Sequence, residues 1–86
     1  MKVKIERKFL KDLESLDKIT SEKLQVFLNT LLNVESFWDL KMRKMKWYKN
    51  YFRIRLWDYR IWLKVENDIC ICVRVKHRKD IYKIFP

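Results

Sequence analysis

An α+β fold of order β-α-α-β-β-β is predicted by three features of the chain. Apolar residues recur at helical spacing across residues 9–32, period-two alternation runs from about residue 50 to residue 76, and a short alternating stretch precedes both. Two amphipathic helices and one sheet bury their apolar sides when the helices pack as a hairpin on one face of a mostly antiparallel sheet. The 86 residues make one small domain, 1–86, with a thin core.

The first strand is "KVKIE", residues 2–6. In "RKFLKDLESL", Phe9, Leu10, Leu13 and Leu16 fall at helical spacing. "DKIT" interrupts the pattern, and Thr20 or Ser21 suits the N-cap of the next helix, with Glu22 in its first turn. Leu24, Phe27, Leu28, Leu31 and Leu32 then form an i, i+3, i+4 stripe to about Asn33, read as core rather than as partner surface. Over "VESFWDLKMRKMK", residues 34–46, no period survives, and a loop or short irregular segment is expected.

Three strands follow, at about 47–56, 59–65 and 69–76. Phe52, Ile54 and Leu56 share a face with Tyr59, Ile61, Leu63 and Val65, while Tyr51, Arg53 and Arg55 share the other with Arg60, Trp62 and Lys64. A two-residue turn at Trp57-Asp58 pairs Leu56 with Tyr59, Arg55 with Arg60 and Ile54 with Ile61, so the apolar faces match. A three-residue loop at Glu66-Asn67-Asp68 would pair Val65 with Ile69 and Leu63 with Ile71. "KHRKDIYKIFP" closes the chain as a tail or short helical turn.

Composition narrows the function. About half the residues are apolar, which argues against disorder. No apolar run approaches the roughly 18 residues of a membrane span. "MKVKIERKF" carries charges where a signal peptide needs an apolar stretch, so a soluble, cytoplasmic chain is expected. Cys70 and Cys72 lie two apart, side by side on one strand face, a poor geometry for a disulfide, and are expected to stay reduced. His77 is the single histidine, so no metal site and no cofactor is expected.

The net charge of +10 is one-sided. Residues 1–40 hold seven Lys/Arg and seven Asp/Glu, whereas residues 41–86 hold fourteen against four. Such a half-chain footprint points to a polyanionic partner, usually nucleic acid. Arg55 faces Arg60 across the hairpin, with Arg53 two residues along on the same face. Like charges directly opposed on a sheet are unfavourable. A bridging phosphate removes that cost, since guanidinium forks match its oxygens. His77, Arg78, Lys79 and Tyr82 follow the last strand, and their convergence with the arginine face would form a cationic groove with an aromatic wall, suited to RNA phosphate and a stacked base. Lys44, Lys46, Lys49, Arg53 and Lys79 are the expected RNA-backbone contacts.

"NYFRIRLWDYRI", followed by "VRVKHRKDIY", resembles the RelE/ParE toxins of toxin–antitoxin systems, whose pattern is roughly Tyr-Tyr-Arg-Ile-Arg-x-Gly-Asp-Tyr-Arg-Ile and then Gly-His-Arg-x-x-x-Tyr. The match is strongest from about Lys46 to Tyr82 and agrees in layout with the rest. The resemblance implies an antitoxin partner. For the RelE branch it implies ribosome-dependent cleavage of mRNA in the decoding site; for the ParE branch, inhibition of DNA gyrase without catalysis. A non-catalytic RNA-binding module is a third reading. The RelE branch places basic residues where Arg53, Arg55, Arg60 and Arg78 stand, with an aromatic at Tyr82. This implies charge stabilisation at the scissile phosphate by Arg60 and Arg78 and stacking by Tyr82. Arg55 stands where some RelE toxins carry a lysine proposed as general base. Arginine stays protonated, so His77, of ordinary pKa about 6.5, is the better candidate for a base. Attack by the 2′-hydroxyl on the adjacent phosphate is the expected chemistry, leaving a 2′,3′-cyclic phosphate and a 5′-hydroxyl.

The chain has no glycine, where average usage of about 7% predicts roughly six. Trp47, Trp57 and Trp62 stand where relatives commonly have glycine. Two origins account for this: a gene whose UGA codons specify glycine, or genuine tryptophans that add stacking surface. UGG codons at the three positions would exclude the first. A genuine Trp57 predicts a distorted turn at Trp57-Asp58.

Overall fold

The computed structural model describes residues 2–33, 43–44 and 49–83. Its elements are β1 (Lys2–Ile5), α1 (Arg7–Glu14), α2 (Lys18–Leu32), β2 (Arg43–Lys44), β3 (Tyr51–Leu56), β4 (Tyr59–Glu66), β5 (Ile69–His77) and a 3₁₀ turn at Ile81–Lys83. The predicted order is present, with β2 added inside the segment expected to be irregular. The sheet runs β1-β5-β4-β3-β2, with β1 parallel to β5 and the other neighbours antiparallel. Both helices contribute to a core on one face: Phe9 from α1 and Leu24 and Leu31 from α2 pack with Ile54, Ile61, Leu63, Cys70, Cys72 and Val75.

The helix boundaries differ from expectation for a local reason. Asp17, not Thr20 or Ser21, caps α2: its carboxylate accepts from the Thr20 N–H at 3.2 Å, and the helix begins at Lys18. Leu10 and Leu32, assigned to the apolar stripes, are exposed, because the buried stripe of α1 runs through Phe9 and Asp12 and that of α2 through Leu24 and Leu31.

The β3–β4 hairpin has the register read from the sequence, with Arg55 opposite Arg60. Trp57 takes φ 55° while Asp58 does not enter positive φ. Positive φ at the first central position alone is the pattern of a type II′ turn, where glycine is preferred. A non-glycine residue in that region costs about 1–2 kcal/mol. Part of this is offset by the Lys23 ammonium, 4.9 Å from the exposed Trp57 ring. A Trp57→Gly substitution also gives the unfolded chain more freedom. The net expectation is a gain of about 0.5 kcal/mol, seen as a rise of about 2–4 °C in Tm. A fall in Tm would show that the indole outweighs the backbone. Trp62 lies in extended strand and Trp47 outside the described residues, so among the described residues Trp57 is the tryptophan whose backbone favours glycine.

The β4–β5 turn corrects the expected loop. Asn67 and Asp68 both take positive φ, 48° and 63°, and make a two-residue type I′ turn that pairs Glu66 with Ile69 and Val65 with Cys70. Cys70 and Cys72 therefore point into the core in place of Ile69 and Ile71. Val73 is then the extra residue of a bulge, since Leu63 pairs with Cys72 and Trp62 with Arg74. The bulge returns Val75 to the core. Both cysteines are buried and unbridged. Burial pushes the Cys70 thiol up to about 11 and, with Cys70 beside it, the Cys72 thiol up to about 12, so both are poor nucleophiles.

Beyond β1, the outer side of β5 is closed by a side chain. The Asp12 carboxylate accepts from the Val75 N–H at 3.1 Å, from Arg74 through Nε at 2.8 Å and NH2 at 3.0 Å, and pairs with Lys76 at 3.2 Å. Burial alone would raise the Asp12 pKa. The hydrogen bonds from Arg74, Val75 and Lys76, with the Arg74 charge, outweigh that and hold it below the usual carboxylate value. This contact fixes α1 against the end of β5 from which Arg78 emerges.

Candidate nucleic-acid interface

Strand alternation assigns the basic residues to the face opposite the helices. One row across the sheet reads Arg55, Arg60, Lys76; the next reads Arg53, Trp62, Arg74, with Arg43 opposite Arg53 in register. Three cations in one row repel, and the structure offsets two of them. Lys76 reaches Asp12, as does Arg74 in the next row. Arg60, only 7% exposed, turns its guanidinium NH1 onto the carbonyls of Trp57 and Tyr59, each at 3.0 Å. Arg55 remains exposed on the surface.

The hairpin turn brings Arg60 and Arg78 to the same place. Between the two carbonyls held by Arg60, the Asp58 carbonyl accepts the Arg78 N–H at 2.7 Å. The Arg78 guanidinium also lies 3.7 Å from the Asp58 carboxylate. From the sequence, Asp58 reads as a turn residue only. Its signal is its place in the turn beside Arg55 and Arg60, which the fold brings against Arg78.

His77 does not join this group. It pairs with Tyr59, on the row of Leu56 and Tyr59 that faces the helices, and its ring meets the Tyr59 ring edge-on at 5.5 Å between centroids. Its Nδ1 accepts the Lys79 N–H at 3.1 Å. The expected general base is thus on the other face with one lone pair engaged. Its visible role is to shape the turn that carries Arg78, helped by the Asp80 N–H bonded to the His77 carbonyl at 2.8 Å.

The remaining expected residues divide. Lys49 and Lys79 are exposed, and Arg53 is half-buried. Lys44 lies on β2 opposite Phe52. Tyr82 lies in the 3₁₀ turn anchored by the fully buried Ile81. Lys46 lies outside the described residues. Of the tryptophans read as added stacking surface if genuine, Trp62 is 5% exposed and packed away, whereas Trp57 is 59% exposed at the turn tip.

Residues 3–82 match the family described as ParE toxin of type II toxin-antitoxin system, parDE. This chain belongs to the RelE/ParE superfamily of toxins. Within it, the chain is 40% identical to Toxin RelE3 of Methanocaldococcus jannaschii over the full length of both. Its fold matches the RelB–RelE antitoxin–toxin complex from Methanococcus jannaschii with a TM-score of 0.81 and 34% identity, covering 96% of this chain and 99% of that one. The archaeal RelE–RelB complex from Pyrococcus horikoshii shares the fold, with a TM-score of 0.69, 24% identity and coverage of 90% and 93%. The chain is a RelE-branch toxin of a type II toxin–antitoxin system. Among the described residues of this RelE-like toxin, no helix is long and apolar enough to cross a membrane.

Proposed function

We propose that this toxin is a ribosome-dependent endoribonuclease that cleaves mRNA in the decoding site and is neutralised in the cytoplasm by a cognate antitoxin. The observation that carries the reading is the hairpin turn that joins the Arg55–Arg60 row to Arg78. A protein-binding inhibitor has no need of arginines gathered in this way, whereas a pentacovalent phosphate needs positive charge placed before the reaction.

The reaction balances without a covalent enzyme intermediate. The mRNA 2′-oxygen bonds to its adjacent phosphorus and gives up its proton, the bond to the 5′-oxygen breaks, and that oxygen takes up a proton. The products are a 2′,3′-cyclic phosphate and a 5′-hydroxyl. Arg55 and Arg78, both exposed, contact the non-bridging oxygens. Arg60 adds charge from behind the turn while holding its carbonyls. Protein cations fill the place that a metal ion takes in other phosphoryl chemistry, so the cleavage is metal-independent. Stacking on Tyr82 and the ribosomal site align the attacking oxygen, a positioning effect that supplies several kcal/mol of the barrier. His77, on the other face, is not assigned the proton.

Lys44, Lys46, Lys49, Arg53 and Lys79 extend the contact along the RNA backbone. If about five phosphates are neutralised, the logarithm of affinity for single-stranded RNA should fall with a slope of about −3.5 against the logarithm of salt. Fluorescence anisotropy between about 50 and 200 mM salt reads this slope, and flat binding would contradict the electrostatic reading. Induction of the toxin in growing cells, with mRNA 5′ ends mapped, tests the activity. New ends clustered within translated codons are expected. Growth arrest with intact mRNA and inhibited gyrase would move the reading to gyrase inhibition without catalysis.

A further inference from the structure

We propose that Asp58 is the positioning residue for Arg78, holding its guanidinium where the scissile phosphate arrives. The role rests on the RNA-cleaving reading and adds to it a residue with no place in that chemistry. Asp58 meets Arg78 through both its backbone and its side chain. Its carbonyl accepts the Arg78 N–H at 2.7 Å, which continues the β4–β5 ladder one step beyond the Tyr59–His77 pair. Its carboxylate lies 3.7 Å from Arg78 Nε.

Stability does not account for this pair. The Arg78 and Asp58 side chains are 56% and 66% exposed, and an ion pair at such a site adds only about 0.2–1 kcal/mol to stability. An anion beside a phosphate-binding arginine also competes with the phosphate. Residues 41–86 hold only four acidic residues against fourteen basic ones, and one of the four sits against Arg78. Such a competitor is useful if it restricts a long, rotamer-rich side chain to the orientation needed. The distance suits that use. At 3.7 Å the interaction is an ion pair longer than a hydrogen bond, so the guanidinium N–H groups remain available to an incoming phosphate. The support is itself fixed, because Arg60 binds the carbonyls on either side of Asp58.

Asp58→Asn keeps the size and turn tolerance of the residue and removes the charge. The experiment compares purified wild-type and Asp58→Asn toxin on mRNA-programmed ribosomes, reading kcat and KM separately, with NMR relaxation of the Arg78 Nε–H. The expected result is a kcat lower by about two- to fivefold, a KM unchanged or lower, a more mobile Nε–H and partial rescue by Asp58→Glu. If the wild type cleaves and Asp58→Asn keeps its kcat with a lower KM, Asp58 is only a competitor and the inference is overturned. An Nε–H equally mobile in both proteins overturns it as well. A wild type that cleaves nothing on the ribosome removes the RNA-cleaving reading and this role together.

Discussion

An Arg78→Ala toxin is expected to lose about 10²–10³ in the rate of mRNA cleavage while folding normally and still binding its antitoxin. The separation follows from how Arg78 is held. Its backbone N–H keeps the bond to the Asp58 carbonyl in the variant, and the substitution removes the exposed ion pair with the Asp58 carboxylate. Such a pair contributes about 0.2–1 kcal/mol at most, so Tm should move by no more than a few degrees. Arg55→Ala should behave alike, since Arg55 is exposed. Arg60→Ala should differ. Its guanidinium is buried and bonded to the Trp57 and Tyr59 carbonyls, so that variant loses rate and stability together. Ribosome-dependent cleavage beside thermal melts of the three proteins reads the contrast. A fully active Arg78→Ala protein would contradict the site.

The second large effect concerns Asp12, far from the arginine row in sequence. Asp12→Ala leaves Arg74 short of its bidentate partner and the Val75 N–H without that acceptor in a buried setting. Breaking a buried pair from one side costs about 3–5 kcal/mol. For a domain of this size that lowers Tm by at least about 12 °C. Asp12→Asn keeps an acceptor for Val75 and should recover part of the loss. Acid should mimic the substitution. The folded pKa of Asp12 lies below its ordinary value of 3.8, so its contribution is present above about pH 4 and is lost as pH falls through the folded value. The wild type should therefore lose stability below about pH 4 more steeply than Asp12→Asn, as denaturant midpoints at several pH values would show. Equal slopes would mean that Asp12 titrates alike folded and unfolded.

Most of the fold was legible because its signals are periodic. The i, i+3, i+4 run from Leu24 to Leu31 marks α2, and alternation on both sides of Trp57-Asp58 sets the hairpin register. What failed depended on single residues. Asn67 and Asp68 both accept the left-handed region, so two residues turn the chain where three were expected, and this exchanged Ile69 and Ile71 for Cys70 and Cys72 in the core. The Val73 bulge left no trace in an unbroken apolar run. Asp12 left one: a carboxylate three residues after Phe9, on the buried side of a short helix, needs a partner.

At the site, the arginine row was readable from register alone. The place of His77 was readable too, since alternation from Val75 already sets it with the core-facing residues; its adjacency to Arg78 in sequence obscured this. The link between Arg60 and Arg78 was not readable. It runs through three consecutive backbone carbonyls, and backbone acceptors have no sequence signature.

The most direct test is the chemistry of the cut ends. Purified toxin is added to ribosomes paused with a defined codon in the decoding site, and both RNA products are analysed by mass. A 2′,3′-cyclic phosphate is predicted on the upstream fragment and a 5′-hydroxyl on the downstream one, both lost in Arg78→Ala. Ends carrying a 5′-phosphate, or unchanged cleavage by Arg78→Ala, would contradict attack by the 2′-hydroxyl at the arginine site.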